Sequence, residues 1–287
     1  METILVIGGT GNIGYPLIEE LNNKGKVNII AGARNVEKYK KKLAHFNRVE
    51  VRAFDFLDAS TYESCLQDVD RLFFVRPPEL STPKDDMFPF LEKVQLLKVK
   101  QVVFISLIGV EKNPMTPHNK IEKKITALNL PYTFIRPSFF MQNLNTTHQQ
   151  DIRENRDLFV PAGNSLTSFI DTRDIAAVAA VCLLEEKYIG QKIEITGAKA
   201  ISYHQAADIM SDVLGVTISY SKPSLWKFRK VMLQRGMPKN FVNVMVMLYF
   251  ITQLGNAKKV TQSVEQILNR APISFAQYVE DNKEQFL

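Results

Sequence analysis

The chain has 287 residues, 45% of them hydrophobic, which is enough to bury a sizeable α/β core with an accessory lobe and excludes a disordered segment. Thirty-six basic side chains against 30 acidic ones give a net charge of +6, which suits an anionic cofactor; with no helix-turn-helix, zinc-finger or aromatic RNA-binding pattern, no nucleic-acid partner is expected. Cys65 and Cys182 make no disulfide framework, no His/Cys spacing implies a metal, no apolar run suits a membrane span and no leader pattern opens the chain, so a cytoplasmic address and no membrane partner are expected.

The first element is an apolar strand at 4–7, followed by Gly8-Gly9-Thr10-Gly11-Asn12-Ile13-Gly14 and a helical stretch at 15–21. A buried strand that turns sharply into a helix needs positive φ, and it brings main-chain N–H groups close to a pyrophosphate at the helix start. Gly8, Thr10, Gly11, Asn12, Ile13 and Gly14 are therefore expected to bind a cofactor. Their Gly-x-x-Gly-x-x-Gly spacing departs from the Gly-x-Gly-x-x-Gly of the dinucleotide fingerprint. Pro16 fits a first helical turn.

Further strands are predicted at 27–31, 49–54, 71–75, 102–105 and 132–135, with helical patterns between them. Runs rich in Val, Ile and Phe, separated in this way, predict right-handed βαβ crossovers and an α/β fold with a doubly wound parallel sheet. Ligands in such sheets lie beyond the carboxyl ends of the strands, so the residues after each run carry the expectations. After the second run, Arg34 stands where a carboxylate would otherwise take ribose hydroxyls, and it can pair with a 2′-phosphate; Lys38, one turn on, can add a second charge. This favours NADP(H), with NAD(H) left open. The run Lys38-Tyr39-Lys40-Lys41-Lys42 otherwise reads as a solvated helix face.

Asp55 and Phe56, after the third run, offer a carboxylate and a backbone N–H to an adenine edge, with a helix-capping Asp as the ordinary alternative. Arg76, ahead of Pro77-Pro78, faces either the cofactor groove or solvent. Ser106 ends the fifth run, as a substrate-orienting hydroxyl or a strand-end hydrogen-bonding group. His118 and Glu122 share one face of the next helix at i, i+4 spacing. A carboxylate nearby would favour the imidazolium form of His118 as a proton donor, while a helix N-terminus would oppose it, so the sign of the shift stays open.

In the C-terminal third, helices are predicted at 201–214 and 260–268, with the almost continuously apolar stretch 241–251 between them. That stretch is too short to span a bilayer and reads as a buried helix, a greasy substrate wall or a subunit interface. Trp226 and the nearby methionines would suit a flat hydrophobic substrate.

Taken together, the glycine segment, Asp55-Phe56, Leu130-Pro131-Tyr132-Thr133-Phe134-Ile135-Arg136-Pro137, Phe140-Met141-Gln142-Asn143 and Phe169-Ile170-Asp171-Thr172-Arg173-Asp174-Ile175-Ala176 resemble the NmrA-like branch of the atypical short-chain dehydrogenases, across essentially the whole chain. Within it the pattern is most similar to small NAD(P)H-dependent quinone and triphenylmethane dye reductases. The resemblance implies a Rossmann core at 1–137 and 168–197 and a smaller, mostly helical substrate-side lobe at 138–167 and 198–287. It also implies that the backbone near Pro137 and Phe139 faces the nicotinamide, with Phe140, Met141 and Asn143 toward the substrate. Where most short-chain dehydrogenases carry Tyr-x-x-x-Lys, this chain carries His118 and Glu122, as the dye and quinone reductases do.

Reducing a quinone or a cationic dye needs hydride more than it needs an acid, since solvent can protonate the product. The expected function is an NADPH-dependent reductase of a small aromatic or quinone-like acceptor, with His118, Glu122 and Ser106 as catalytic residues. A non-catalytic redox sensor acting through a protein partner is the alternative. A sugar-nucleotide epimerase is weaker, because it needs a base strong enough to deprotonate an alcohol. A homodimer is left open.

Overall fold

In chain order the strands are β1 (Glu2–Ile7), β2 (Val27–Ala33), β3 (Val49–Ala53), β4 (Arg71–Val75), β5 (Gln101–Ile105), β6 (Tyr132–Pro137), the two-residue β7 (Leu166–Thr167), β8 (Lys192–Ile195) and β9 (Ile201–Ser202). The helices are α1 (Gly14–Lys24), α2 (Val36–Leu43), α3 (Tyr62–Leu66), α4 (Pro83–Asp86), α5 (Phe88–Leu96), α6 (Pro117–Ala127), α7 (Gln149–Asn155), α8 (Thr172–Leu184), α9 (Tyr203–Leu214), α10 (Leu225–Gln234), α11 (Lys239–Gln253) and α12 (Ser263–Leu268), with two short helices at the end. This computed structural model describes residues 1–287. It divides into two units, Met1–Pro137 with Thr172–Glu194, and Ser138–Asp171 with Ile195–Leu287.

The sheet has the order β3-β2-β1-β4-β5-β6-β8, and the pairings from β3 through β6 are all parallel. Ile4, Leu5, Val6, Leu72, Phe73, Phe74, Val102 and Phe104 are fully buried. Helices cover both faces of such a sheet, so its central strands read as unbroken apolar runs rather than alternating ones. Strand order reverses between β1 and β4, and the crevice beyond the carboxyl ends at that switch point is where ligands bind in this architecture.

At the amino ends of β4, β5 and β6 the buried polar groups satisfy one another. Arg71 Nη1 donates to Gln101 Oε1 at 2.7 Å, and Gln101 Nε2 donates to Thr133 Oγ1 at 2.8 Å. Strand β2 runs two residues beyond the expected end, through Gly32 and Ala33, so Arg34 leaves the sheet directly. Cys65 and Cys182 are both buried free thiols, and burial pushes each up to about 12.

The second unit has its own core, in which Met141, Leu158, Val160, Tyr203, Phe228, Met245, Tyr249 and Tyr278 are buried. Helix α9 starts at Tyr203 rather than 201, because Ile201–Ser202 pairs with β7, and Ser202 with Gln205 forms a reciprocal cap. The predicted 260–268 helix begins only at Ser263. The apolar stretch 241–251 lies within α11, but burial is confined to Val242, Met245, Tyr249 and Thr252. Its remaining apolar side chains are half-buried or exposed, which corrects the expectation of a buried helix.

Candidate active site

The turn after β1 is held by main-chain bonds: Gly11 N donates to Gly8 O at 2.9 Å, and Tyr15 N to Gly11 O at 3.1 Å. Gly8 has φ +85°, and a Cβ on Gly14 would lie 2.3 Å from Gly8 O, so both positions require glycine. Ile13 stands at the N-cap of α1 with no capping side chain, and no acidic residue occupies the first turn. The helix start is thus left with positive partial charge from its unsatisfied N–H groups. Lys42 adds to this: its Nζ donates to Thr10 O at 3.0 Å and lies 5.4 Å from the centre of the Tyr15 ring. This differs from the solvated face expected for the run Lys38 to Lys42. Helical spacing places Lys38 and Lys42 on one face of α2 and was the available signal.

Arg34 and Lys38 are both exposed. Asn35 caps α2 by accepting from Lys38 N at 2.9 Å, which fixes the turn that carries both cations. Asp55 Oδ1 accepts from Leu57 N at 3.0 Å, so this carboxylate braces its own turn. Phe56 is buried and meets Phe54 and Phe90 edge-on at 4.8 and 5.5 Å, leaving only its backbone for any ligand. Arg76 folds back on the proline turn, its Nη1 donating to the carbonyls of Pro77 at 2.8 Å and Leu80 at 2.7 Å. Its Nε is buried without a partner.

Strand β5 ends at Ile105, and Ser106 N donates to Ile135 O at 2.8 Å while its buried Oγ has no partner. His118 lies in the first turn of α6, after the Thr116 cap, with its ring stacked on Phe104 at 6.0 Å and 26°. Burial, and after it the charge of Arg76, push His118 down to about 3, so the ring is neutral at neutral pH. Of the two opposed directions left open by the sequence, this is the one that disfavours the imidazolium form. The expected pairing with Glu122 also fails. Glu122 is buried and bidentate to Arg136, with Oε1 at 3.0 Å from Nε and Oε2 at 2.6 Å from Nη2. An arginine buried in a strand demands a carboxylate, and Arg136 in the Ile135-Arg136-Pro137 segment is the sequence signal for this pair. Pro137 is buried, and its carbonyl accepts from Ile108 N at 3.2 Å.

In the second unit, Phe139 O accepts from Ile170 N at 2.9 Å, and the Phe139 ring lies 6.3 Å from that of Tyr249. Phe140 and Asn143 are half-buried. Met141 is a core residue, buried in this unit, which removes it from the substrate-facing set. Trp226 is 73% exposed on α10.

A parallel sheet with a glycine turn at its switch point, and cations on the turn after the neighbouring strand, defines a doubly wound nucleotide-binding protein. The chain belongs to the NmrA-like family, whose model matches residues 1–279. It is 30% identical to Prestalk A differentiation protein A of Dictyostelium discoideum, over 97% of this chain and 92% of that protein. It is 28% identical to an NAD(P)H azoreductase of Xenophilus azovorans, over 99% of each. An Escherichia coli NADPH-dependent quinone oxidoreductase, solved with NADPH, shares the fold with a TM-score of 0.87 at 22% identity, over 97% of this chain and 99% of that one.

Proposed function

We propose that this protein is an NADP(H)-dependent oxidoreductase that delivers hydride to a flat aromatic or quinone-like acceptor. The observation that carries the reading is the turn after β1, where a side chain on Gly14 would strike Gly8 O and an uncapped helix start stands at the switch point. Gly8, Thr10, Gly11, Asn12, Ile13 and Gly14 would hold the diphosphate through main-chain amides, with Lys42 adding charge. Arg34 and Lys38 would take the 2′-phosphate, and Asp55 with the Phe56 backbone the adenine. The bound, reduced nicotinamide would supply the hydride. Family membership and the azoreductase relative support redox chemistry.

Ser106 Oγ is a buried hydroxyl in want of a partner, and it would hydrogen-bond an acceptor oxygen. Arg76 would stabilise negative charge that grows there, and neutral His118 would orient the ring rather than protonate it. Solvent then supplies the proton. An epimerase is disfavoured, since a histidine at about 3 is too weak a base to deprotonate an alcohol.

Calorimetry with NADPH and NADH, followed by NADPH oxidation with a panel of quinones and azo and triphenylmethane dyes, tests the reading. NADPH should bind more tightly, and Arg34→Asp should abolish that preference. Loss of heat with both coenzymes would defeat the proposal. NADPH binding without turnover on any acceptor, together with coenzyme-dependent capture of one protein, would instead support a redox sensor. That second reading is favoured by the engagement of Glu122 with Arg136, which leaves no acid–base couple on α6.

A further inference from the structure

Helix α11 is apolar on nearly every face, a pattern that belongs in a core or at a bilayer interface. Here only one stripe is covered. Val244 at 44%, Phe250 at 51% and Leu254 at 64% lie open, with Met247 and Leu248 beside them. Helix α10 packs against α11 and is tied to it where Arg229 Nε donates to Asn243 Oδ1 at 3.0 Å. It contributes the exposed Trp226, with Lys230 Nζ 5.6 Å from the ring centre. An aromatic ring beside a long cationic side chain is the arrangement that seats at a membrane surface, ring in and ammonium out.

Charge identifies the occupant. Between Asp212 and Glu265 the chain has eight Lys and Arg residues and no carboxylate. Of these, Arg235 is neutralised by Asp151 at 2.6 Å, Arg229 is half-buried against Asn243, and Lys230 and Lys239 are exposed beside the apolar stripe. A second copy would set Lys230 and Lys239 against cations of their own kind. An acidic peptide would answer the cations but offers little to aliphatic and aromatic side chains spread over the outside of a helix. An anionic bilayer answers both.

We propose that the α10–α11 face docks on an anionic lipid surface, with Trp226, Phe250 and Leu254 inserted among the headgroups and the cations on the phosphates. No helix of this chain is long and apolar enough to cross a membrane, so the association is peripheral. The proposal is independent of the redox reading.

Trp226 is the only tryptophan, so its emission reports this face alone. The full chain is titrated with phosphatidylcholine vesicles that contain or lack phosphatidylserine. A blue shift and protection from acrylamide with phosphatidylserine only, reversed by high salt, is expected. Phe250→Ser and Lys230→Glu should each weaken vesicle binding about tenfold with unchanged melting in the absence of lipid. Emission that does not move with anionic vesicles, or moves equally with neutral ones, overturns the proposal. So does sedimentation equilibrium showing a dimer that Phe250→Ser dissolves, which assigns the face to a second copy. Tight binding of a glutamate-rich peptide without vesicle binding would equally overturn it.

Discussion

Replacing Glu122 with alanine separates its two expected roles. Arg136 is buried, and Glu122 supplies two of its three carboxylate contacts; the third, Glu111 Oε2 to Nη1 at 3.1 Å, comes from a half-exposed side chain. Removing one partner of a buried ion pair costs about 3–5 kcal/mol. The surviving Glu111 contact places this case near the lower end, about 3 kcal/mol. With a urea m-value of about 2–3 kcal/mol/M, the unfolding midpoint should fall by roughly 1 M. Urea titrations followed by circular dichroism measure this, alongside NADPH oxidation at temperatures where the variant stays folded. The double variant Glu122→Met with Arg136→Met should recover most of the loss, because no charge is left stranded. A midpoint that stays put in Glu122→Ala, combined with a rate that collapses, would refute the structural assignment and return the carboxylate to the chemistry.

Gly14→Ala forces the turn after β1 open, since its Cβ would meet Gly8 O at 2.3 Å; dinucleotide heat should vanish in calorimetry, and retained affinity would remove the steric argument. Lys42→Met should weaken NADPH binding severalfold and reduce its salt dependence, and an unchanged salt dependence would leave the lysine with a purely structural contact to Thr10. For His118, the folded value of about 3 lies below the unfolded value of about 6.5. Above pH 6.5 both states are neutral and stability is unaffected. Between there and pH 3 the unfolded chain takes up a proton that the folded chain refuses, so stability falls as pH falls. His148, pushed down by burial to about 4, acts in the same direction. His118→Phe keeps the stacking surface and should flatten the decline of melting temperature from pH 7 toward 5; an unchanged slope would show that the ring is accessible to protons.

The parallel core was readable because strands buried on both faces leave unbroken apolar runs, and the turn at Gly8 to Gly14 because its first and last positions require glycine. Ser106 stands one residue past β5, where the predicted strand end put it, whereas β2 runs on to Ala33, beyond its predicted end at 31. What periodicity could not supply was which side chains a tertiary neighbour would claim. Glu122 and His118 share a helix face, yet Arg136 approaches from β6 and takes the carboxylate, a contact between residues 14 apart in sequence and on different elements. Met141 and Trp226 fail for opposite reasons: one sits in the core of the second unit, the other stands out from it. Helix α11 defeats pattern reading altogether, because a helix apolar all round does not say which side is covered.

The two cysteines bear on what such a protein can tolerate. On the proposed function the acceptors include quinones, which alkylate thiolates, and the catalyst would be exposed to damage from its own acceptor. With both sulfurs enclosed and held in the protonated form, neither offers a nucleophile to an electrophile arriving from solvent. Durability against reactive acceptors is therefore built into the folded interior, and unfolding would be what first exposes the chain to arylation.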